Sequence, residues 1–250
     1  MFGKIDFLMV IKLLFKLLVM TLVILVVGVF LWRFSISRIP DELMELTPNA
    51  TLSEAYAQNP DLTLFTQEQN TTTRGENSYG YFTVCDAVFI PEAGQVQILI
   101  RYNDSTLRAT EEDYGLAEDS LDAEKDWYDI SLLVSLDKSP GDANDNLGNN
   151  PESVEFVRIA PAEVSAAVHE GLHSYRRLIF NDVPFGDNVL AVYADFYFKD
   201  DIRYQQQEFD IYSEVAYGTL CLYAYTEPTV SRALTESEAE SLESISDPKN

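Results

Sequence analysis

An uncharged apolar segment near the N-terminus restricts the fold of this chain more than any other feature. From Leu17 to Trp32 the sequence reads LLVMTLVILVVGVFLW, without one charged residue. A helix needs about 20 apolar residues to cross a bilayer, and residues 13–32 meet that length if Lys16 extends its ammonium group toward the interface. Trp32 lies at the other boundary, where amphipathic aromatic rings prefer to lie. We therefore expect residues 13–32 to cross a lipid bilayer as one helix.

The flanks of this segment predict an uncleaved signal anchor. No A-x-A-like cleavage site follows it, and RFSISR at residues 33–38 is a poor context for signal peptidase. The basic residues on the two sides are Lys4, Lys12 and Lys16 before the segment, and Arg33 and Arg38 after it. Positive charge favours the cytoplasmic side. We expect residues 1–38 to be a cytoplasmic tip and anchor in the cell membrane, with the C-terminal domain outside the cytoplasm.

The remainder of the chain is strongly acidic. Five of the 17 basic residues and one of the 41 acidic residues lie in residues 1–38, which leaves 12 and 40, a net charge of −28, for residues 39–250. Such a domain repels nucleic acid, so we exclude nucleic-acid binding. We interpret the charge as a means of solubility, and attraction of cations or basic partners is the alternative.

Residues 39–78 predict a stalk or linker. The segment is interrupted by Pro40, Pro48 and Pro60 and is polar at residues 71–75. We expect a short helix near residues 52–58, with Thr51 as N-cap and Glu54 completing a capping box. Asn49, Asn70 and Asn103 each begin an N-glycosylation pattern.

Residues 79–234 alternate between apolar and other residues, which predicts β-strands. The expected strands lie near residues 82–90, 96–102, 128–136, 154–159, 175–183, 190–198 and 215–225. Turns are expected at residues 91–94 and 184–188, which contain proline and glycine. Residues 107–126 predict a helix-bearing insertion or an exposed loop. Residues 235–250 predict a C-terminal helix and tail, with a capping box from Thr235 to Glu238. The expected fold class is mainly β: an antiparallel β-sandwich, with immunoglobulin-like architecture as one alternative.

The two cysteines, Cys85 and Cys221, both fall in expected strands. Outside the cytoplasm they could form one disulfide, which would stabilise the domain by about 3–5 kcal/mol. Two buried thiols are the alternative, because the sequence does not show whether their strands are neighbours.

The only two histidines occur in the sequence His169-Glu170-Gly171-Leu172-His173. This matches the H-E-x-x-H pattern and so resembles the zincin metallopeptidases. On a helix, residues i and i+4 share a face, so both imidazoles could bind one Zn²⁺. The resemblance implies zinc as cofactor, His169 and His173 as ligands, and Glu170 as general base.

The residues around the motif favour a fortuitous match on a turn or short helix. Gly171 would cost a helix about 1 kcal/mol relative to Ala. Arg176 and Ile179 stand where the extended motif needs its Gly and third His, which leaves only downstream carboxylates as the third ligand: Asp195, Glu208 or Glu214. An expected strand at residues 175–183 would also end any helix soon after His173.

Another candidate loop, Asp142 to Gly148, resembles the start of an EF-hand. Leu147 replaces the glycine at position six, and Ser153 replaces the bidentate glutamate at position twelve. We interpret it as a polar turn. The preferred function is therefore a non-enzymatic, membrane-anchored binding or interaction module without catalytic residue, cofactor or metal, with a cell-surface protein or glycan as partner. A membrane-anchored zinc metallopeptidase is the alternative.

Overall fold

The computed structural model describes residues 7–37, 39–67, 72–74, 80–122, 127–138, 154–199 and 218–246. The chain divides into two compact units, Met1–Pro40 and Asp41–Asn250. The first contains helix α1, Phe7–Ser37, and its stretch Ile11–Trp32 is long and apolar enough to cross a membrane. The prediction of an apolar N-terminal helix of spanning length is confirmed.

The second unit is mainly β. Its strands are β1 (Leu64–Gln67), β2 (Thr72–Arg74), β3 (Gly80–Ile90), β4 (Gln95–Tyr102), β5 (Tyr128–Asp137), β6 (Val154–Ile159), β7 (Glu163–Val164), β8 (Val168–Glu170), β9 (His173–Phe180), β10 (Val189–Phe198), β11 (Gly218–Ala224) and β12 (Thr229–Arg232). Its helices are α2 (Asp41–Met44), α3 (Ala50–Gln58), α4 (Asp104–Tyr114) and α5 (Glu236–Ser246). The positions of the main predicted strands agree with this order within a few residues.

The strands form two antiparallel sheets. Sheet A has the order β12-β1-β3-β4-β9-β7, with β2 also paired to β3 and β8 also paired to β9. Sheet B has the order β11-β10-β5-β6. The loop after β9, at residues 181–188, passes from sheet A to sheet B. The predicted turn at residues 184–188 thus joins two sheets, whereas the turn at residues 91–94 closes the β3–β4 hairpin.

One hydrophobic core is shared by the two sheets. Phe82 and Ile98 of sheet A and Ile130 and Phe196 of sheet B belong to the same buried cluster. Along each strand these residues alternate with residues on the outer face, because successive side chains of a strand point to opposite sides. The alternation in the sequence therefore predicts the core face of β4 and β5 correctly. In β3 it predicts one face for Phe82, Val84, Val88 and Ile90, which is wrong, because a β-bulge between Val84 and Asp86 turns Val88 and Ile90 to the other face of sheet A.

The outer face of sheet A carries a second layer. A separate buried cluster contains Leu52 of α3, Leu64 of β1, Ile90 of β3 and Leu242 of α5. Residues 41–67 therefore pack as part of the folded unit, where the sequence predicts a stalk. Pro48 and Pro60 interrupt this segment, so only short runs within it show a period, such as the buried Leu62 and Leu64, which are two residues apart.

Hydrogen bonds fix this layer to the sheet. Gln97 of β4 is fully buried, and its side chain accepts from the Thr47 amide and donates to the Thr47 carbonyl, both at 2.9 Å. The Leu46 amide donates to Glu238 of α5 at 3.1 Å. Three of these groups belong to the backbone of an irregular segment: the Leu46 amide, the Thr47 amide and the Thr47 carbonyl. Backbone groups must find hydrogen-bond partners when they are buried.

The helix caps differ from the predicted ones in one case. Asn49 caps α3, since its Oδ1 accepts from the Leu52 amide at 2.9 Å, whereas Thr51 lies within the helix. The predicted capping box of α5 is present, with Glu238 accepting from the Thr235 amide and Thr235 accepting from the Glu238 amide. Asn49 is buried and Asn103 caps α4, so two of the three glycosylation patterns serve as helix caps. The third, at Asn70, lies outside the described residues.

Candidate functional site

The His169–His173 motif forms a tight β-hairpin. Glu170 of β8 pairs with His173 of β9, and His169 pairs with Ser174. Gly171 and Leu172 form the two-residue loop, and Gly171 has a φ of 63°. A positive φ at the first of two central residues is the requirement of a type II′ turn, where Gly is preferred. The helix that the zincin resemblance requires is therefore replaced by a strand, a turn and a strand.

The hairpin places the two imidazoles on opposite faces. Cross-strand partners share a face and successive residues alternate, so His169 lies with Ser174 on one face and His173 with Glu170 on the other. The contacts agree: His169 Nδ1 and Ser174 Oγ are 2.9 Å apart. Burial and the neighbouring Arg101 lower the pKa of His173. Side chains on opposite faces of a hairpin do not fit one tetrahedral zinc.

The carboxylates considered as a third ligand are not brought to the hairpin. Asp195 lies in β10 of sheet B, whereas the hairpin belongs to sheet A. Glu208 and Glu214 lie outside the described residues, as does the EF-hand-like loop at residues 142–148. Among the residues that the structure describes, no group of three or more His, Cys, Asp or Glu side chains could hold a metal ion.

Asp195 instead belongs to a buried polar network on the outer face of sheet B. Its carboxylate lies 3.3 Å from the Arg158 guanidinium and accepts from Tyr197 at 3.0 Å and from Thr219 at 2.8 Å. Arg158 also donates to Ser131 at 2.6 Å and to Tyr197. Burial and the nearby Asp195 raise the pKa of Tyr197. A buried charge needs both an ion pair and hydrogen bonds, and Asp195 has both. Since Arg158 and Thr219 lie on other strands of sheet B, we interpret this network as a structural link between those strands.

The structure does not bring the two cysteines together. Cys85 and Cys221 are both free thiols. Cys221 alternates with the core residues Leu220 and Leu222, so its side chain points to the outer face of sheet B. Cys85 lies in sheet A, where burial raises the pKa of its thiol to about 11 despite Arg101 and Arg177 nearby. Such a thiol is a poor nucleophile at neutral pH.

An aromatic cleft opens between the two sheets, at the end where the β3–β4 turn meets the loop after β9. Its volume is about 180 Å³, and it is lined by Phe65, Phe89, Pro91, Phe185, Gly186, Val189, Val192 and Tyr223. The amide of Val183 donates to the Gly94 carbonyl at 2.9 Å, which ties the loop to the turn. We refer to this site as the aromatic cleft.

Four rings form most of the wall of the aromatic cleft. Phe65 of β1 pairs with Phe89 of β3 in the sheet, and their rings stack at 5.0 Å with planes 7° apart. The ring of Phe185 stands perpendicular to both, at 6.3 Å from Phe65 and 6.4 Å from Phe89. Tyr223 of β11 is tilted against the same pair at 5.9 Å and 5.8 Å. The rings therefore support one another and form a preorganised apolar surface.

Sequence reasoning did not identify the aromatic cleft. Its rings come from four separate segments, and Phe65 falls within the predicted stalk. The pairing of β1 with β3, the pairing of β10 with β11 and the passage of the chain between the sheets at residues 181–188 bring them together. Phe185, an aromatic residue inside a Pro-Gly turn, was the one local signal, because large apolar residues are unusual in exposed turns.

Comparisons with known proteins do not assign a family to this chain. No family model, curated protein or solved structure matches the chain.

Proposed function

We propose that this chain is a membrane-anchored binding module whose folded unit lies outside the cytoplasm and captures its ligand in the aromatic cleft. The cleft is the observation that carries the proposal. It is concave and mostly apolar, as small-molecule sites usually are, and its volume of about 180 Å³ suits one compact chemical group rather than a large ligand. Its lining contains one titratable side chain, Tyr223, and burial raises the pKa of that phenol. A site of this kind suits capture of a ligand better than acid–base chemistry.

The arrangement of the sheets supports the same proposal. We interpret the two sheets with their shared core as a β-sandwich, an architecture that commonly presents binding loops at its ends. The aromatic cleft lies at such an end, between the β3–β4 turn and the loop after β9. An immunoglobulin-like order of strands stays a prediction, and the inter-sheet disulfide typical of antibody domains is not formed by Cys85 and Cys221.

The alternative, a membrane-anchored zinc metallopeptidase, has less support. Its ligands would have to be His169 and His173, with Glu170 as base. The hairpin separates the two imidazoles, and Glu170 shares a face with only one of them. These residues do not fit the zincin arrangement, so we derive no catalytic step from them.

Filling the aromatic cleft tests the binding proposal. Val192→Trp places a large side chain at the cleft, whereas Val230→Trp places the same side chain on β12, where Val230 is 69% exposed. We expect glycans or cell-surface proteins that bind the full chain to bind Val230→Trp equally and Val192→Trp at least tenfold more weakly. Circular dichroism checks that both variants are folded. Equal binding by all three chains would place the site elsewhere.

Labelling of intact cells tests the location. A Cys85→Ser, Cys221→Ser background with Ala57→Cys presents one thiol on the exposed side of α3. We expect a membrane-impermeant maleimide to label it without permeabilisation, and to label a Lys4→Cys variant only after permeabilisation. The reverse pattern would place the folded unit in the cytoplasm.

A further inference from the structure

The segments that build the aromatic cleft are acidic and contain no basic side chain. Strands β1, β3, β10 and β11 and the turns at residues 91–94 and 181–188 contain no Lys, Arg or His. Asp195 of β10 is paired with Arg158 on the outer face of sheet B, which leaves Glu92, Asp182 and Asp187 as the exposed acidic residues of the turns. Glu92 and Asp187 directly follow the lining residues Pro91 and Gly186, and both are exposed. The domain as a whole is acidic as well. A negative potential of this kind attracts cations and repels anions.

The rings of the aromatic cleft also favour a cation. The negative π face of an aromatic ring attracts a cation within about 6 Å of its centroid. Phe185 is perpendicular to the Phe65–Phe89 stack, with interplanar angles of 83° and 90°. Phe89 is fully buried beneath Phe65, so the partly exposed rings of Phe65, Phe185 and Tyr223 are the ones that a ligand would meet, in more than one orientation. Clusters of several rings that recognise alkylated ammonium groups use the same physical attraction.

The size and polarity of the cleft restrict the cation further. A cavity of about 150 Å³ accepts one benzene-sized guest, so the aromatic cleft, at about 180 Å³, accepts one compact group. A primary ammonium or a metal ion is strongly hydrated and would lose that water against a wall of Phe, Val and Pro. An ammonium whose hydrogens are replaced by methyl groups keeps its charge and presents an apolar surface.

We propose that the aromatic cleft binds an alkylated ammonium group, such as the trimethylammonium head of choline. This inference rests on the proposed function of the cleft as a binding site. The source that we propose is choline, either free or as a phosphatidylcholine headgroup. The ring faces supply the attraction to the cation, the acidic rim adds a longer-range field, and the valines contact the methyl groups.

A matched pair of probes tests whether the cleft prefers a positively charged ligand. Choline and 3,3-dimethyl-1-butanol have nearly the same shape, but a neutral carbon replaces the charged nitrogen in the second. The full chain is placed in nanodiscs of phosphatidylethanolamine and phosphatidylglycerol, which contain no choline. The methyl NMR signals of Val189 and Val192 then report binding of each probe. We expect choline to bind at least tenfold more tightly than the neutral probe, with a difference that decreases as salt is raised.

Two variants test whether choline binds in the aromatic cleft. Phe65→Leu keeps an apolar side chain but removes one ring, so we expect choline to bind about tenfold more weakly while the neutral probe changes little. Phe156→Leu makes the same replacement in β6, outside the cleft, and we expect it to leave binding of both probes unchanged. Nanodiscs containing phosphatidylcholine, used as a competitor, distinguish the lipid headgroup from free choline. A trimethyllysine peptide that displaces choline at a lower concentration than choline itself would overturn choline as the ligand.

Other outcomes would overturn the proposal in distinguishable ways. Equal binding of choline and its neutral counterpart would show that the cleft is an apolar site without preference for a cation, which leaves the proposed function intact. No shift of the valine signals with either probe, in a chain with a folded NMR spectrum, would contradict both this inference and the binding role of the cleft.

Discussion

Single residues decide whether the His169–His173 motif can be a helix or a hairpin, and Gly171 is the clearest of them. Gly171 has a φ of 63°, which L-residues with a Cβ adopt only at a cost. Its neighbours pair across the turn, so the backbone cannot relax without breaking the hairpin. The same residue that weakens the zincin resemblance in the sequence is therefore required by the turn.

The change in the free energy of unfolding caused by Gly171→Ala has opposite signs in a hairpin and in a helix, so its sign distinguishes the two conformations. In the hairpin, we expect Gly171→Ala to lower the free energy of unfolding by about 1–2 kcal/mol. In a helix, the same change would raise it by about 1 kcal/mol. Denaturant unfolding of the full chain measures the difference, and Gly171→Asn, which tolerates positive φ better, is the control. A stabilised Gly171→Ala variant would contradict the hairpin.

Glu238 is a second residue whose environment has a measurable consequence. Its side chain is 1% exposed and pairs with Arg232 at 2.7 Å. Burial raises its pKa, but hydrogen bonds from Arg232 and from the Thr235 and Leu46 amides outweigh burial and lower the pKa from 4.5 to about 2. A carboxylate whose pKa is lowered on folding stabilises the fold above its unfolded pKa, and this stability is lost as pH falls toward the folded value.

We therefore expect Glu238→Gln to destabilise the folded unit by about 2 kcal/mol at neutral pH, a value below the full pKa difference because Arg232 is partly exposed to solvent. The difference from the wild type should shrink between pH 4.5 and about 2. Unfolding free energies measured across this range test it. Glu236→Gln, an exposed change in the same helix turn, should have little effect, and a pH-independent difference for Glu238→Gln would contradict the assignment.

Among the elements, the layer formed by α3 and α5 depends on sheet A rather than on its own helix propensity. The helices are short, and isolated helices of about 10 residues are marginal in water. Leu52 of α3 and Leu242 of α5 share one buried cluster with Leu64 and Ile90 of sheet A, and Gln97 of the sheet forms two hydrogen bonds with Thr47.

Loss of the two hydrogen bonds between Gln97 and Thr47 should weaken the packing of residues 41–58 against sheet A. We expect Gln97→Leu to lower stability by about 2 kcal/mol, because the Thr47 amide and carbonyl lose their partners, and to increase hydrogen exchange in residues 41–58. Exchange in β10 should change far less. Gln58→Leu, at the exposed end of α3, is the control. Unchanged exchange in residues 41–58 would support the stalk that the sequence predicts.

The difference between prediction and structure at this scale has a physical cause. Strands such as β5 and β10 and the capping box of α5 were predictable because alternation and capping are local patterns. The packing of residues 41–67 and the aromatic cleft depend on contacts between distant segments, such as Phe65 with Phe89 and Phe185. No local period encodes those contacts, whereas the structure brings them together through strand pairing.

For the whole molecule, the proposal combines an apolar helix of spanning length with an acidic, mainly β unit. The helix was evident in the sequence because a bilayer requires a long uncharged segment. The zincin resemblance depends on five residues, and the surrounding sheet determines their conformation. The central proposal is therefore that the chain acts by binding in its cleft and not by zinc chemistry at the hairpin.

The zinc content of the purified full chain tests this proposal most directly. The chain is loaded with zinc, dialysed, and compared by elemental mass spectrometry with a His169→Ala, His173→Ala variant. We predict that the wild type retains no more zinc than the variant, because a hairpin with its imidazoles on opposite faces does not form a tetrahedral site. Retention of about one zinc per wild-type chain, lost in the variant, would contradict the proposal and favour the metallopeptidase.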